Sequence, residues 1–294
     1  MRSKLTRFYE QKYKKLLIIP FLLLILAFVQ IGVQYTMTGD FVNKGISLKG
    51  GSTITIEYDG SYSQGELESF LMQKFPKADI LVRSFSSAGT VTNLAVDSDA
   101  QDDAEIEALI AAINEKTGLQ KGQYSVEVMG SSLGSSFFKQ TIIALLIAFL
   151  LMGIVVMIYF RTIAPSLAVI LAAFSDIVVT LSIFNLTGIR LSTAGIAAFL
   201  MLIGYSVDTD ILLSSRVLKR KEGTVMERIY GAMKTGLTMS ATTLSAIFVA
   251  MLFVESDVVK QIMIILFIGL LVDLVMTWIQ NVGILRLYLE KKKR

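Results

Sequence analysis

The chain contains no cysteine and no histidine. The first absence excludes disulfides, thiolate chemistry and cysteine-based metal sites. The second removes the common proton carrier of neutral pH. Together they remove the usual zinc and haem ligands, so no metal site and no cofactor is expected. Any proton handling must fall to carboxylates. A phosphate loop is also missing. Gly50-Gly51 is a glycine pair at a turn, and no glycine-rich run opens a helix with Lys-Ser/Thr, so nucleotide binding has no support.

What is present is apolar surface. Hydrophobic residues make up 53% of 294 residues and the mean hydropathy is +0.63, too apolar for an ordinary soluble domain. Six stretches approach the roughly 20 residues needed to cross a bilayer: about 16–35, 141–159, 164–185, 191–213, 236–254 and 262–285. No small-residue cleavage site follows the first, which reads as a retained anchor within a span of 16–37.

The net charge of +4 raises the question of nucleic acid, and the distribution answers it. Arg2, Lys4, Arg7, Lys12, Lys14 and Lys15 precede the first span. Arg161 follows the second, Arg216, Lys219, Arg220 and Lys221 follow the fourth, and Arg286 and Lys291 to Arg294 follow the sixth. All fall on one side of a six-span layout, as the positive-inside rule requires. The basic segments 1–15 and 286–294 are therefore expected in the cytoplasm, in contact with lipid headgroups, and no nucleic-acid partner is expected. The opposite side carries an acidic segment, with 14 Asp/Glu against 7 Lys/Arg over 40–127.

That segment, 38–138, reads as a separate extracytoplasmic domain. Residues 52–58 alternate and are β-branched, so they read as a strand. Residues 63–75 form an amphipathic helix that stops at Pro76. Strands at 79–86 and 90–96 flank a Ser-Ser-Ala-Gly hairpin signal. A second helix at 104–116 closes at Gly118, and a last strand covers 123–129. The order βαββαβ is that of a ferredoxin-like α+β unit. Residues 130–136 read as a Gly/Ser-rich connection, and transmembrane helices two to six occupy 139–285. Thr224-Val-Met-Glu227 has the form of a capping box and is expected to start a short cytoplasmic amphipathic helix over 224–234.

Four carboxylates lie inside the apolar spans: Asp176, Asp208, Asp210 and Asp273. At membrane depth each costs about 2.5–3.5 kcal/mol on insertion scales, so a polar task is expected for them. Asp208 lies eight residues before Arg216, about 12 Å along the helix from that snorkelling cation. Asp208 and Asp210 are separated by about 200° of rotation. Asp208 shares a stripe with Ala197, Met201, Gly204 and Tyr205; Asp210 shares one with Ile203, Ser206 and Ser214. One carboxylate can face the chain's own bundle, and the other must face a cavity, the cytoplasmic interface or another subunit. Asp208 is the expected functional member. Span five offers small and hydroxyl residues, Gly236, Ser240, Thr242, Thr243, Ala246 and Ala250, as a neighbouring face that could supply hydroxyls to a carboxylate.

These residues resemble a known family. Gly204-Tyr-Ser-Val-Asp-Thr-Asp with Arg216 is similar to the fourth-span signature of SecF proteins in the SecD/SecF protein-export family, within the resistance–nodulation–division superfamily. Phe174-Ser-Asp-Ile-Val-Val-Thr-Leu181 resembles the span-three motif, with Asp176 matching. Gly45-Ile-Ser-Leu-Lys-Gly-Gly-Ser52, containing Gly50 and Gly51, resembles the element after span one, and Ser240-Ala-Thr-Thr243 the span-five motif. The layout matches over essentially the whole chain. It departs at Ser47 (Asp in the family), Ser175 (His), Asp208-Thr209 (Asn-Asp in bacterial members) and Thr235 (Arg in bacterial members, with Lys234 beside it here). These departures and Asp273 resemble the archaeal branch. The resemblance implies a non-enzymatic subunit that assists polypeptide translocation with a SecD-like partner and the Sec translocation channel, driven by proton flow. A small-molecule or lipid exporter of the same superfamily, and a structural subunit without proton transfer, are the alternatives.

Overall fold

The computed structural model describes residues 9–58, 60–87, 90–118, 123–220, 222–254 and 256–292. The Ala88-Gly89 part of the expected hairpin, residues 1–8, Lys221 and the last two basic residues lie outside them.

Among the described residues, six helices are long and apolar enough to cross a membrane. They are α1 (Tyr13–Thr38), α5 (Ser131–Phe160), α6 (Ile163–Leu186), α7 (Thr193–Lys219), α8 (Val225–Phe253) and the last, which runs over Val258–Lys292. The last comprises α9 (Asp257–Val275), a π-helical turn at Met276–Asn281 and α10 (Val282–Lys292). Between α1 and α5 lie a short α2 (Ile46–Lys49), β1 (Gly51–Glu57), α3 (Gln64–Lys74), β2 (Leu81–Ser87), β3 (Thr90–Ser98), α4 (Asp103–Thr117) and β4 (Tyr124–Met129).

The four strands form one antiparallel sheet in the order β2-β3-β1-β4. Alternation along β1 sends Ile54 and Ile56 to one face, where they meet Val96, Leu67, Leu71, Leu109 and Ile113 in a core of their own. Burying each such side chain contributes about 1.5–3 kcal/mol. Helix α3 starts with a full capping box: Ser63 Oγ accepts from Glu66 N at 3.2 Å, and Glu66 Oε2 accepts from Ser63 N at 3.0 Å. Helix α4 ends at Gly118 in the left-handed conformation, φ +69°. The helix-free face is polar. There Arg83 grips Asp97 at 2.6 and 2.9 Å and Thr53 Oγ1 donates to Asp97 at 2.9 Å.

The membrane helices sort into two classes. Helices α6, α7 and α9 are the inner ones, with half or more of their apolar windows buried, against 17% or less for α1, α5 and α8. The outward face of α5 presents Leu146, Ile147, Leu150, Leu151, Val155 and Ile158, all large and aliphatic, a surface suited to lipid.

The sheet domain is tied to one end of the bundle. Residues 41–45 lie along the α6–α7 turn. Gly45 N donates to Leu191 O at 2.8 Å, Leu191 N to Asn43 O at 2.6 Å, and Asn185 Nδ2 to Phe41 O at 2.9 Å. Val42 and Leu48 enter the same core as Phe184, Leu191, Leu202 and Ile265. Gly50 and Gly51 have φ of +91° and +139°, and a Cβ there would stand 2.5 Å from Ser131 Cα and 2.1 Å from Ser98 O. The glycine pair is thus required by backbone conformation and by close approach.

Two boundaries differ from expectation. The second membrane helix begins at Ser131, eight residues before 139. Gly134 lets its first turn sit against the backbone of Gly50, where a Cβ would be 2.8 Å from Gly50 N. The helix starting after Thr224 is not a separate amphipathic element. Its capping box forms, with Thr224 Oγ1 accepting from Glu227 N at 3.2 Å, and the helix then runs unbroken into the fifth span.

Candidate functional site

Asp176 on α6, Asp210 on α7 and Asp273 on α9 converge in the middle of the inner helices, each with no solvent exposure. The sequence places them there by period: along α7 the buried positions Ile203, Ser206, Asp210 and Ser214 form one stripe. Asp208, on the opposite stripe with Met201, Gly204 and Tyr205, lies on the exposed face of α7 and has no hydrogen bond or ion pair among the described residues. The two span-four carboxylates therefore split as their spacing requires, and Asp210 is the one that faces the chain's own bundle.

The three buried carboxyls are held by neutral groups. Ser206 Oγ donates to Asp176 Oδ2. Thr277 Oγ1 stands 3.0 Å from Asp210 Oδ1 and 2.9 Å from Asp273 Oδ1. Asn281 Nδ2 donates to Asp210 Oδ1 at 2.7 Å. The carboxyls of Asp176 and Asp273 are direct neighbours. Ser175 Oγ accepts from Gln280 Nε2 at 3.2 Å and donates to Leu171 O at 2.8 Å. Among the described residues no lysine or arginine pairs with any of the three. Asp176 Oδ1, Asp210 Oδ2 and Asp273 Oδ2 have no hydrogen-bond partner among the described residues.

Thr277, Gln280 and Asn281 belong to the π-helical turn and are fully buried. None of the three is among the site residues expected from the sequence. The signal was the run Thr277-Trp-Ile-Gln-Asn281, polar residues inside an otherwise apolar span. Such π turns recur at functional sites because the extra residue per turn re-aims side chains.

The other expected site residues lie elsewhere. Arg216 donates to Gly231 O on α8 at 2.6 Å. Ser240 is buried, whereas Thr242 and Thr243 both donate back to Met239 O, at 2.8 and 3.1 Å, and do not reach a carboxylate. Gly204 and Tyr205 line the exposed stripe with Asp208. Gly50 and Gly51 act at the junction of sheet domain and bundle, as described above.

That junction holds a second polar centre. Gln261 on α9 accepts from Ser192 N at 3.0 Å and from Ser192 Oγ at 2.5 Å, and donates to Arg190 O at 2.6 Å. Arg190 forms an ion pair with Asp79 of the sheet domain, and Lys49 reaches the same carboxylate at 3.2 Å. Beside it a groove of about 760 Å³ runs between Thr53, Arg83 and Glu127 on the sheet and Ile189, Arg190 and Val258 on the bundle.

The family model described as protein export membrane protein SecD/SecF, C-terminal, matches residues 109–291. The protein-export membrane protein SecF of Pyrococcus furiosus is 40% identical over 295 residues, covering 100% of this chain and 97% of the relative. SecF of Methanothermobacter thermautotrophicus is 40% identical over 285 residues, covering 95% and 94%. Among solved structures, SecDF from Thermus thermophilus, described as a translocon-associated membrane protein, superposes with a TM-score of 0.75 at 21% identity. It covers all of this chain, which spans 39% of that longer one, and the likeness bears on the fold.

Proposed function

The chain belongs to the SecD/SecF family of protein-export membrane proteins, as a multi-pass membrane member without enzymatic chemistry, and on that premise we propose that it is the SecF-type subunit of a proton-driven export complex. It works beside a SecD-like subunit and the Sec channel. Both termini are cytoplasmic, and the ferredoxin-like sheet domain stands on the outer side, where its groove receives segments of the translocating polypeptide.

The observation that carries the reading is the placing of the three buried carboxyls. Helices α6, α7 and α9, which hold Asp176, Asp210 and Asp273, also meet at the far end where the sheet domain is tied: Asn185 and Leu191 hold residues 41–45, and Gln261 of α9 holds the α6–α7 turn through Ser192 and Arg190. A change of charge among the carboxyls alters how these helices pack, and the clamp carries that change to the domain that meets the polypeptide.

The exposed faces support a membrane partner on one side. Against the aliphatic face of α5 stands the α7 face with Asp208, Gly204 and Tyr205. Beside it α8 presents Thr238, Ala241, Thr242 and Ser245. A carboxylate and hydroxyls facing lipid are costly, whereas a second subunit can pack closely on small residues and supply a donor to Asp208. Gentle purification from the native membrane tests the partnership. A SecD-like companion is expected, and a homo-oligomer alone would reject the reading.

A further inference from the structure

Thr277 has one hydroxyl hydrogen, yet its oxygen is within hydrogen-bond distance of two carboxyl oxygens, Asp210 Oδ1 and Asp273 Oδ1. It can donate to one of them. The other contact is a hydrogen bond only if that carboxyl carries a proton and donates to Thr277. Asp210 Oδ1 already accepts from Asn281, so the count closes with Asp273 neutral, donating to Thr277, which in turn donates to Asp210.

A second observation extends this arrangement toward both ends of the bundle. Thr180 lies one helical turn from Asp176, on the side of the sheet domain. Ser214 lies one turn from Asp210, on the opposite side. Both are fully buried, and among the described residues neither hydroxyl has a hydrogen-bond partner. A buried hydroxyl without a partner destabilises the fold. The amide oxygens of Gln280 and Asn281 are likewise buried and unmatched. An apolar side chain would serve packing better at each of these places. Hydroxyls and carboxyls in file are what a proton needs to cross a bundle.

We propose that Asp210, Thr277 and Asp273 hold one proton in common, and that it exchanges with the two sides of the membrane through Asp176 and Thr180 at one end and Ser214 at the other, all within this chain. This rests on the proton-coupled reading above and gives it a route. The ligand is a proton. Among the described residues, no group of three or more acidic side chains is placed to hold a metal ion. The other charged groups near the file are turned away from it. On α7, Asp208 and Arg216 face outward and toward Gly231, and on α10 Arg286 is taken up by the carbonyls of Tyr9 and Glu10. The buried stretches of α1, α5, α8 and the π turn contribute no acidic or basic side chain to it.

Infrared spectroscopy of the full-length protein, purified with its native lipids and any companion, tests this. The wild type should show the carbonyl stretch of a neutral carboxylic acid at neutral pH. Asp273→Asn should remove it, Thr277→Val should shift it, Thr277→Ser should preserve it, and Thr141→Val on α5 should leave it unmoved. On transfer into heavy water, Ser214→Ala and Thr180→Val should each slow its isotopic shift several-fold. Absence of the band in the wild type would overturn the proposal, as would a band indifferent to Asp273→Asn and Thr277→Val or one lost equally in Thr277→Ser. Export is not the readout, so a missing band leaves the subunit reading standing. A chain that shows the band but exports normally without these carboxyls would sink the proton drive and leave the site.

Discussion

Gly236 of α8 lies against the indole of Trp278: a Cβ at position 236 would stand 2.3 Å from Cζ2 and 2.8 Å from Cη2. Trp278 follows Thr277 in the π turn, and Tyr9 Oη donates to its carbonyl at 2.5 Å. The glycine therefore lets a large ring wedge the π turn in place, which fixes Thr277 between two carboxyls. Replacing Gly236 by Ala forces the indole out of position and should cost about 1–3 kcal/mol. The comparison is Gly231→Ala in the same helix, where a Cβ meets nothing within 4 Å and a neutral or slightly stabilising change is expected. Thermal unfolding in detergent, followed by tryptophan fluorescence, separates the two. The chain has one tryptophan, so the signal reports this site.

The Gly50-Gly51 pair makes a sharper case, because the atoms a side chain would strike are backbone. Gly50→Ala would meet Ser131 and Gly51→Ala would meet Ser98 O, each at a positive φ that already disfavours a Cβ. Each should cost about 1–3 kcal/mol from conformation alone. Gly65→Ala, in open space inside α3, should gain roughly 0.5–1 kcal/mol. Protease resistance of the sheet domain in membrane vesicles is the readout: it should fall in the first two variants and hold or rise in the third.

The helices and strands were legible because their apolar patterns are strong, and the opposite facing of Asp208 and Asp210 followed from rotation alone. Which of the two faces inward was not legible. In a soluble helix the stripe carrying Ser206, Asp210 and Ser214 would be the outer one. In lipid the rule inverts, since hydroxyls and carboxyls find partners inside the bundle. The Thr224 capping box was readable, but the length of its helix was not. Gly236 falls just past the expected end at 234, and the indole of Trp278 packed against it is a reason for a glycine inside the continuous helix. The polar run Thr277-Trp-Ile-Gln-Asn281 marks buried polar groups in the last span, but the π turn that aims them at the carboxyls has no sequence signature.

Gln261 is the polar link between α9 and the α6–α7 turn. Gln261→Leu keeps the bulk and removes all three hydrogen bonds, leaving Ser192 N and Arg190 O unmatched at a cost of about 1–3 kcal/mol. Hydrogen exchange should quicken in 41–49 and 187–193 and stay unchanged in the sheet core around Ile54 and Leu109. Uniform quickening throughout the domain would mean that Gln261 supports folding rather than attachment.

Asp208 and Asp210 should answer substitution in opposite ways. Asp208→Leu removes an exposed, unpartnered carboxylate and should leave the isolated chain's melting unchanged or raised, while weakening capture of the companion subunit. Asp210→Leu orphans Asn281 Nδ2, leaves Thr277 with Asp273 alone, and should destabilise the chain by several kcal/mol, on the order of 3. Melting curves and pull-down yields, measured on the same preparations, resolve the two.

On the proposed function, the buried carboxyls of this chain drive export. Asn at positions 210 and 273 keeps the shape and removes titration. The direct measurement is the rate at which a secreted protein crosses the membrane in cells carrying Asp210→Asn with Asp273→Asn, with the variant at normal abundance and still bound to its companion. Export should fall several-fold, to the level seen when the proton gradient is collapsed. Export at the wild-type rate would contradict it.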